Sequence, residues 1–220
     1  LREGIDGKTI FVTGSPMREV LEEHREAIRV SGILETLGLE KSGYFLLSTH
    51  REENIDEERH FLSLMTAVNQ LAEKHQLPVV YPTHPRSRKM IEKRGFVFHP
   101  LVKSIKPLGF FDYNKLQKNA RCVLSDSGTL SEESALLNFP AVLIRTSTER
   151  PEVFDKGTMV IGGITTKEIE QAVELAVQMA ENNEPLVMAG DYTDTNVSVK
   201  VVKLVQSYTA IVNETIWRKK

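Results

Sequence analysis

Short apolar runs alternate with amphipathic stretches along this chain, and most of the runs end in a compact polar cluster. Residues 44–49 (YFLLST) end at His50-Arg51-Glu52-Glu53-Asn54, and residues 78–82 (PVVYP) end at Thr83-His84-Pro85-Arg86. Residues 121–124 (RCVL) run into Ser125-Asp126-Ser127-Gly128, and residues 141–144 (AVLI) into Arg145 and the segment up to Pro151. Residues 158–161 stop at Gly162-Gly163. Brief apolar runs bounded by turn formers read as strands buried on both faces. Further strands are expected at 9–13 and 96–98. Helices are expected over about 17–30, 57–74, a short stretch to Arg94, 111–120, the residues after Gly128, 167–181 and 196–217. In the second of these, Phe61, Leu64, Met65, Val68 and Leu71 share one face. Strands that alternate with helices specify an α/β fold, a parallel sheet with helices on both faces. In such sheets ligands bind outside the carboxyl ends of the strands, and the polar clusters fall there.

The richest cluster is the one after residue 124. Thr129-Leu130-Ser131-Glu132 fits a capping box, with Ser127 as an alternative cap. A helix that starts straight after a strand offers unpaired N–H groups and the positive end of its dipole, which suit phosphate. Gly128 has no Cβ to keep a ligand from the backbone. Glu132 and Glu133 sit about 100° apart, so one of them faces a ligand. The plain alternative is an ordinary capped helix. Four polar clusters at four strand ends favour a converging site.

The other candidates follow the same logic. His50 can donate to phosphate or move a proton, and Arg51 can clamp an anion, unless Glu52 and Glu53 hold it in a surface salt bridge. His84 is either structural or part of the cleft. Arg150, between Glu149 and Pro151, either closes over an anion or sits at a helix start. Tyr113, near Phe110 and Phe111, is a core residue or a stacking partner for a base. No two histidines stand four apart and the one cysteine has no partner, so no metal site is expected. A G-x-G-x-x-G, a Walker loop and a G-x-S-x-G elbow are all missing from the sequence, and no cofactor is expected.

Composition closes other classes. A net charge of −2 argues against a nucleic-acid binder relying on bulk positive charge. No apolar stretch approaches the roughly 18 residues of a membrane span, and no signal peptide is visible. A single cysteine makes no internal disulfide, which points to a reducing, cytoplasmic setting. Cys122 reads as a buried structural thiol. The chain starts at Leu1 without a Met, which reads as a fragment or excised domain.

Residues 48–54, residues 82–86, residues 125–128 with Glu132-Glu133, and Thr148-Glu149-Arg150-Pro151-Glu152, in this order, resemble the non-hydrolysing UDP-N-acetylglucosamine 2-epimerases. The resemblance spans essentially all 220 residues but only the C-terminal half of that family's usual length. Residues 11–21 resemble the point where that half begins. The resemblance implies a glycosyltransferase-B-like two-domain protein. This chain would be its UDP-binding, Rossmann-like domain, with a C-terminal helix at about 196–217 that packs back on it and with the N-terminal domain missing. It implies a homodimer at full length, and a reaction that eliminates UDP across C1–C2 and re-adds it with C2 inverted. It places His50 by the diphosphate in a catalytic role, Ser127 and Gly128 around the diphosphate, Glu133 on the ribose hydroxyls and Arg150 on the diphosphate or sugar. It also sets Tyr113 and Leu108 by the uracil, Arg51 in the substrate site and His84 at a regulatory UDP-sugar site. The acidic residues for the C2 proton would lie in the missing half, so the fragment alone is expected to be inactive.

Thr129 stands where many members have a second glycine, which puts a hydroxyl beside the diphosphate. Residues 126–134, 107–110 and 212–219 resemble a branch that converts UDP-2-acetamido-2,6-dideoxy-L-talose to UDP-N-acetyl-L-fucosamine for capsule or O-antigen. The alternatives are a UDP-GlcNAc/UDP-ManNAc epimerase, a hydrolysing relative, a non-catalytic UDP-sugar module and a glycosyltransferase of the same fold.

Overall fold

The computed structural model describes residues 3–184 and 187–219. Leu1, where the sequence starts, lies outside the described residues. The chain forms two compact units, Leu1–Glu23 with Ala189–Lys220, and His24–Met188.

The larger unit is built on six parallel strands: β1 (Phe45–Ser48), β2 (Val79–Pro82), β3 (Val102–Ile105), β4 (Cys122–Ser125), β5 (Ala141–Leu143) and β6 (Val160–Ile161). Their order across the sheet is β3-β2-β1-β4-β5-β6. Phe45 to Ser48 register against Cys122 to Ser125. Alternate strand residues feed two cores, because successive side chains point to opposite faces. Phe45, Leu47, Val79, Tyr81, Cys122, Leu124 and Val142 meet helices α5 (Glu58–His75) and α10 (Thr166–Glu181) on one face. Tyr44, Leu46, Val80, Val123 and Leu143 pack on the other face with α3 (Ile33–Leu37), α7 (Phe110–Asn119) and α8 (Leu130–Leu137). Burial on both faces explains why the central strands read as unbroken apolar runs. Cys122 is fully buried, and burial pushes its thiol up to about 12, as befits a structural residue. The remaining helices of this unit are α2 (Arg25–Val30), α4 (Glu52–Ile55), α6 (Pro85–Arg94) and α9 (Pro151–Lys156). Thr165 and Glu168 close a full capping box at the start of α10.

The other unit carries α1 (Met17–Glu23) and α11 (Val197–Thr215). Residues 9–13 do not form the expected strand. Gly7–Thr9 is a one-turn 3-10 helix capped by Asp6, and Ile10, Phe11 and Val12 are exposed. A strand needs a neighbour to pair with, and the described residues of this unit contain none. The Phe11 ring packs against Tyr208 instead, with centroids 4.8 Å apart.

Two further expectations need correction. The helix over 17–30 is interrupted at His24, where five polar residues, 22–26, break the apolar period. Phe96 and Phe98 lie in a loop against the first core, and the strand is Val102–Ile105. That strand is at the sheet edge, with Lys103 and Ser104 exposed, so it has no apolar signature. Among the described residues no helix is long and apolar enough to cross a membrane.

Candidate functional site

The chain leaves β1 toward β2 and β3, and leaves its neighbour β4 toward β5 and β6. This reversal opens a crevice between the loops that follow the two strands. His50 and Arg51 come from the first loop, and Ser127 to Thr129 from the second.

One side chain fastens the two loops together. Asp126 is fully buried. Its Oδ2 accepts from the Thr49 hydroxyl at 2.7 Å, the N–H groups of His50 and Arg51 at 3.0 Å each, and the Asn54 amide at 3.2 Å. Its Oδ1 lies 3.4 Å from His50 Nδ1. Asn54 also donates to the Ile144 carbonyl at 3.1 Å, which ties in the end of β5. A buried carboxylate is tolerated when donors surround it, as they do here. Sequence reasoning singled out neither Asp126 nor Asn54. Asp126 was open to detection, because an acidic residue directly after a fully buried strand needs such partners.

The second loop departs from the expected capping box. Thr129 is the N-cap of α8 but makes no capping hydrogen bond. Its backbone is already helical, at φ −85° and ψ −9°. Its hydroxyl donates instead to Glu133 Oε1 at 2.9 Å and lies 3.0 Å from Ser127 Oγ. The extra hydroxyl therefore organises Glu133 and Ser127. Ser127 closes the turn through its N–H on Ser125 Oγ at 3.1 Å. Gly128 borders open space, where an added Cβ would meet nothing within 4 Å.

The two glutamates have separate partners. Glu133 accepts from Gln117 Nε2 at 2.6 Å, and Tyr113 lies one turn before Gln117 on α7, packed against the second core. Burial pushes the Tyr113 phenol well above its ordinary value. The buried Glu132 holds Arg150 at 2.5 Å, which sets the guanidinium beside the first turn of α8. Arg145 forms a bidentate pair with Glu149, at 2.7 and 2.6 Å, and braces the loop that carries Arg150.

These contacts bring His50, Ser127, Thr129, Glu133 and Arg150 into one connected set at the carboxyl ends of β1 and β4, and Tyr113 stands one turn from Gln117 on α7. Arg51 joins through its backbone, while its guanidinium lies 3.5 Å from Glu53, the surface pairing weighed above. His84 stands next to His50, with ring centroids 6.2 Å apart, and its Nδ1 accepts from Arg86 N–H at the start of α6. Leu108, before α7, joins only by packing against the second core. A cavity of about 730 Å³ opens elsewhere, beside the first residues of β5 and β6 among Met159, Met179 and Met188, and it carries none of these groups.

Burial pushes the Glu133 carboxyl up, against the hydrogen bonds from Gln117 and Thr129. Folded Glu133 keeps its proton to higher pH than the unfolded chain does. Its contribution to stability is full below the ordinary carboxylate range and is lost as pH rises through the raised value. Glu149 runs the other way: its hydrogen bonds from Arg145 hold it at about 2, so its contribution is lost only as pH falls toward that value. Glu133→Gln is expected to flatten the decline in urea midpoint above the ordinary carboxylate range and leave the acid limb intact. An unchanged decline would place its source elsewhere.

The profile of the UDP-N-acetylglucosamine 2-epimerase family matches residues 1–206. The UDP-N-acetylglucosamine 2-epimerase of Methanococcus maripaludis is 30% identical over 210 residues, which are 92% of this chain and 57% of that protein. Among solved structures, the UDP-N-acetylglucosamine 2-epimerase of Rickettsia bellii superposes with a TM-score of 0.84 at 34% identity. That match covers 99% of this chain and 58% of the other. The Neisseria meningitidis UDP-GlcNAc 2-epimerase, solved bound to UDP-GlcNAc, gives a TM-score of 0.78 at 26% identity, over 94% of this chain and 57% of that one. The chain thus spans a little over half the length of these relatives and shares their fold over that span. It belongs to the UDP-N-acetylglucosamine 2-epimerase family.

Proposed function

We propose that the crevice between β1 and β4 binds the uridine diphosphate of a UDP-2-acetamido sugar. On this reading the 220 residues are the nucleotide-binding half of a cytoplasmic 2-epimerase. The observation that carries it is the gathering of an α8 helix start, His50 and Arg150 at one switch point of a parallel sheet. A helix start, an imidazole and a guanidinium together stabilise the charge that develops on a departing diphosphate. Glu133 takes the ribose hydroxyls, and Tyr113 and Leu108 lie toward the base. Elimination of UDP and its return with C2 inverted then need an acid and a base for the C2 proton. The family resemblance assigns these to an N-terminal domain, and it implies a homodimer at full length. The isolated chain binds UDP weakly and does not epimerise the UDP-sugar.

The sugar is read from residues 126–134, 107–110 and 212–219 as UDP-2-acetamido-2,6-dideoxy-L-talose, which gives UDP-N-acetyl-L-fucosamine for capsule or O-antigen. The names of the matched relatives favour a second reading, UDP-GlcNAc to UDP-ManNAc. Assay of a full-length enzyme on both sugars separates the two.

Calorimetric titration with UDP tests the assignment of Glu133. Glu133→Gln is expected to weaken binding about tenfold, since a neutral amide accepts less strongly than a carboxylate. The variant should fold, because Gln117 Oε1 is buried without a partner and can accept from the new amide. Unchanged affinity would remove Glu133 from the ribose site.

A further inference from the structure

We infer that Asp126 is a positioning residue that sets the tautomer of His50, with the proton on Nδ1 and the Nε2 lone pair turned toward the ligand. The two carboxylate oxygens are used differently. Oδ2 takes four donors, from Thr49, His50, Arg51 and Asn54. Oδ1 faces the imidazole, with 3.4 Å to Nδ1, and receives only a longer contact of 3.3 Å from the His50 N–H. At 3.4 Å the contact is longer than an ordinary hydrogen bond, but a carboxylate oxygen only accepts, so its charge favours the tautomer with the proton on the facing Nδ1. The backbone bonds hold the loop, and with it the ring, at this distance. The other charged or titratable groups around the ring are His84, whose Nδ1 is occupied by Arg86 N–H, and the neighbouring Arg51, turned to Glu53.

The consequence follows from proton inventory. With Nδ1 protonated, neutral His50 presents a proton acceptor at Nε2. On taking a proton there, the same atom becomes a charged donor to a phosphate oxygen. His50 can then gain and lose a proton at one atom as the diphosphate's charge changes. The opposite tautomer would offer a fixed neutral donor and no acceptor. This use of the proton rests on the proposed UDP site, whereas the tautomer itself does not.

The test is ¹⁵N NMR of histidine-labelled 220-residue chain without ligand, above the titration of the ring, with the His50 signals assigned by their loss in His50→Gln. The expected spectrum shows a protonated Nδ1 and an unprotonated Nε2. In Asp126→Asn the amide oxygen stays with the four donors at the Oδ2 position, so its NH₂ faces Nδ1 and donates to it. The tautomer is expected to invert to Nε2–H. Thr49→Val removes one Oδ2 donor and leaves Oδ1 in place, and it should keep the wild-type tautomer. A role in loop structure alone predicts the same change in both variants. A wild-type His50 with its proton on Nε2, or an Asp126→Asn that folds and keeps the wild-type tautomer, overturns the inference. If Asp126→Asn does not fold, the wild-type spectrum and Thr49→Val decide it. A UDP titration of the same samples reports on the site separately, so loss of UDP binding with the expected tautomer counts against the site and not against the pairing.

Discussion

Gly128→Val is expected to weaken UDP binding by at least about 100-fold, some 2.7 kcal/mol, while leaving the fold as stable as the parent. The position separates binding from stability cleanly. Gly128 does not lie at positive φ, so a side chain there meets no backbone strain. An added Cβ meets no protein atom within 4 Å. The open space is the space assigned to the diphosphate, between the α8 start and His50. An isopropyl group fills it and keeps phosphate oxygens from the backbone of the turn. Urea unfolding should stay within about 0.5 kcal/mol of the parent, the usual range for a substitution that touches nothing. Calorimetry with UDP should show the loss. A Gly128→Val chain that binds UDP as tightly as the parent would put the diphosphate somewhere else.

Asp126→Ala is expected to cost about 3–5 kcal/mol of folding stability, the typical result of removing one partner from a buried charged cluster. Four donors converge on Oδ2 alone, and two of them are main-chain N–H groups that cannot turn away. The same deletion unties the loop after β1 from the loop after β4. Asn54 would then keep only its bond to the Ile144 carbonyl. A lower urea midpoint at unchanged slope would report this loss. A cost below about 1 kcal/mol would show that water replaces the carboxylate and that the loops are held by other means.

Much of this architecture is written locally. The apolar runs at residues 44–49, 121–124 and 141–144 became β1, β4 and β5, because strands buried on both faces carry continuous apolar sequence. The clusters that end them mark the cleft for the same reason, since each loop must leave the sheet at its carboxyl edge. What failed to show was whatever depends on a distant partner. Val102–Ile105 is a strand only because it lies beside β2, and its own residues are half polar. Residues 9–13 have strand composition but no strand to pair with. The Thr129–Glu132 pattern satisfies a capping rule, yet Thr129 turns to Glu133, which burial leaves in need of donors. Asp126 stands out locally as an acid after a buried strand, but it meets Asn54 across 72 residues, and Asn54 meets Ile144 across 90, so the partners of the clamp have no local signature.

A UDP titration of the 220-residue chain followed by ¹H–¹⁵N NMR tests the diphosphate site between β1 and β4 directly. Saturable shifts are expected, largest at His50, Ser127, Gly128 and Thr129, with Glu133 and Arg150 following. The cavity residues Met159, Met179 and Met188 should stay still. No shifts at millimolar UDP, or shifts gathered around that cavity, would contradict it.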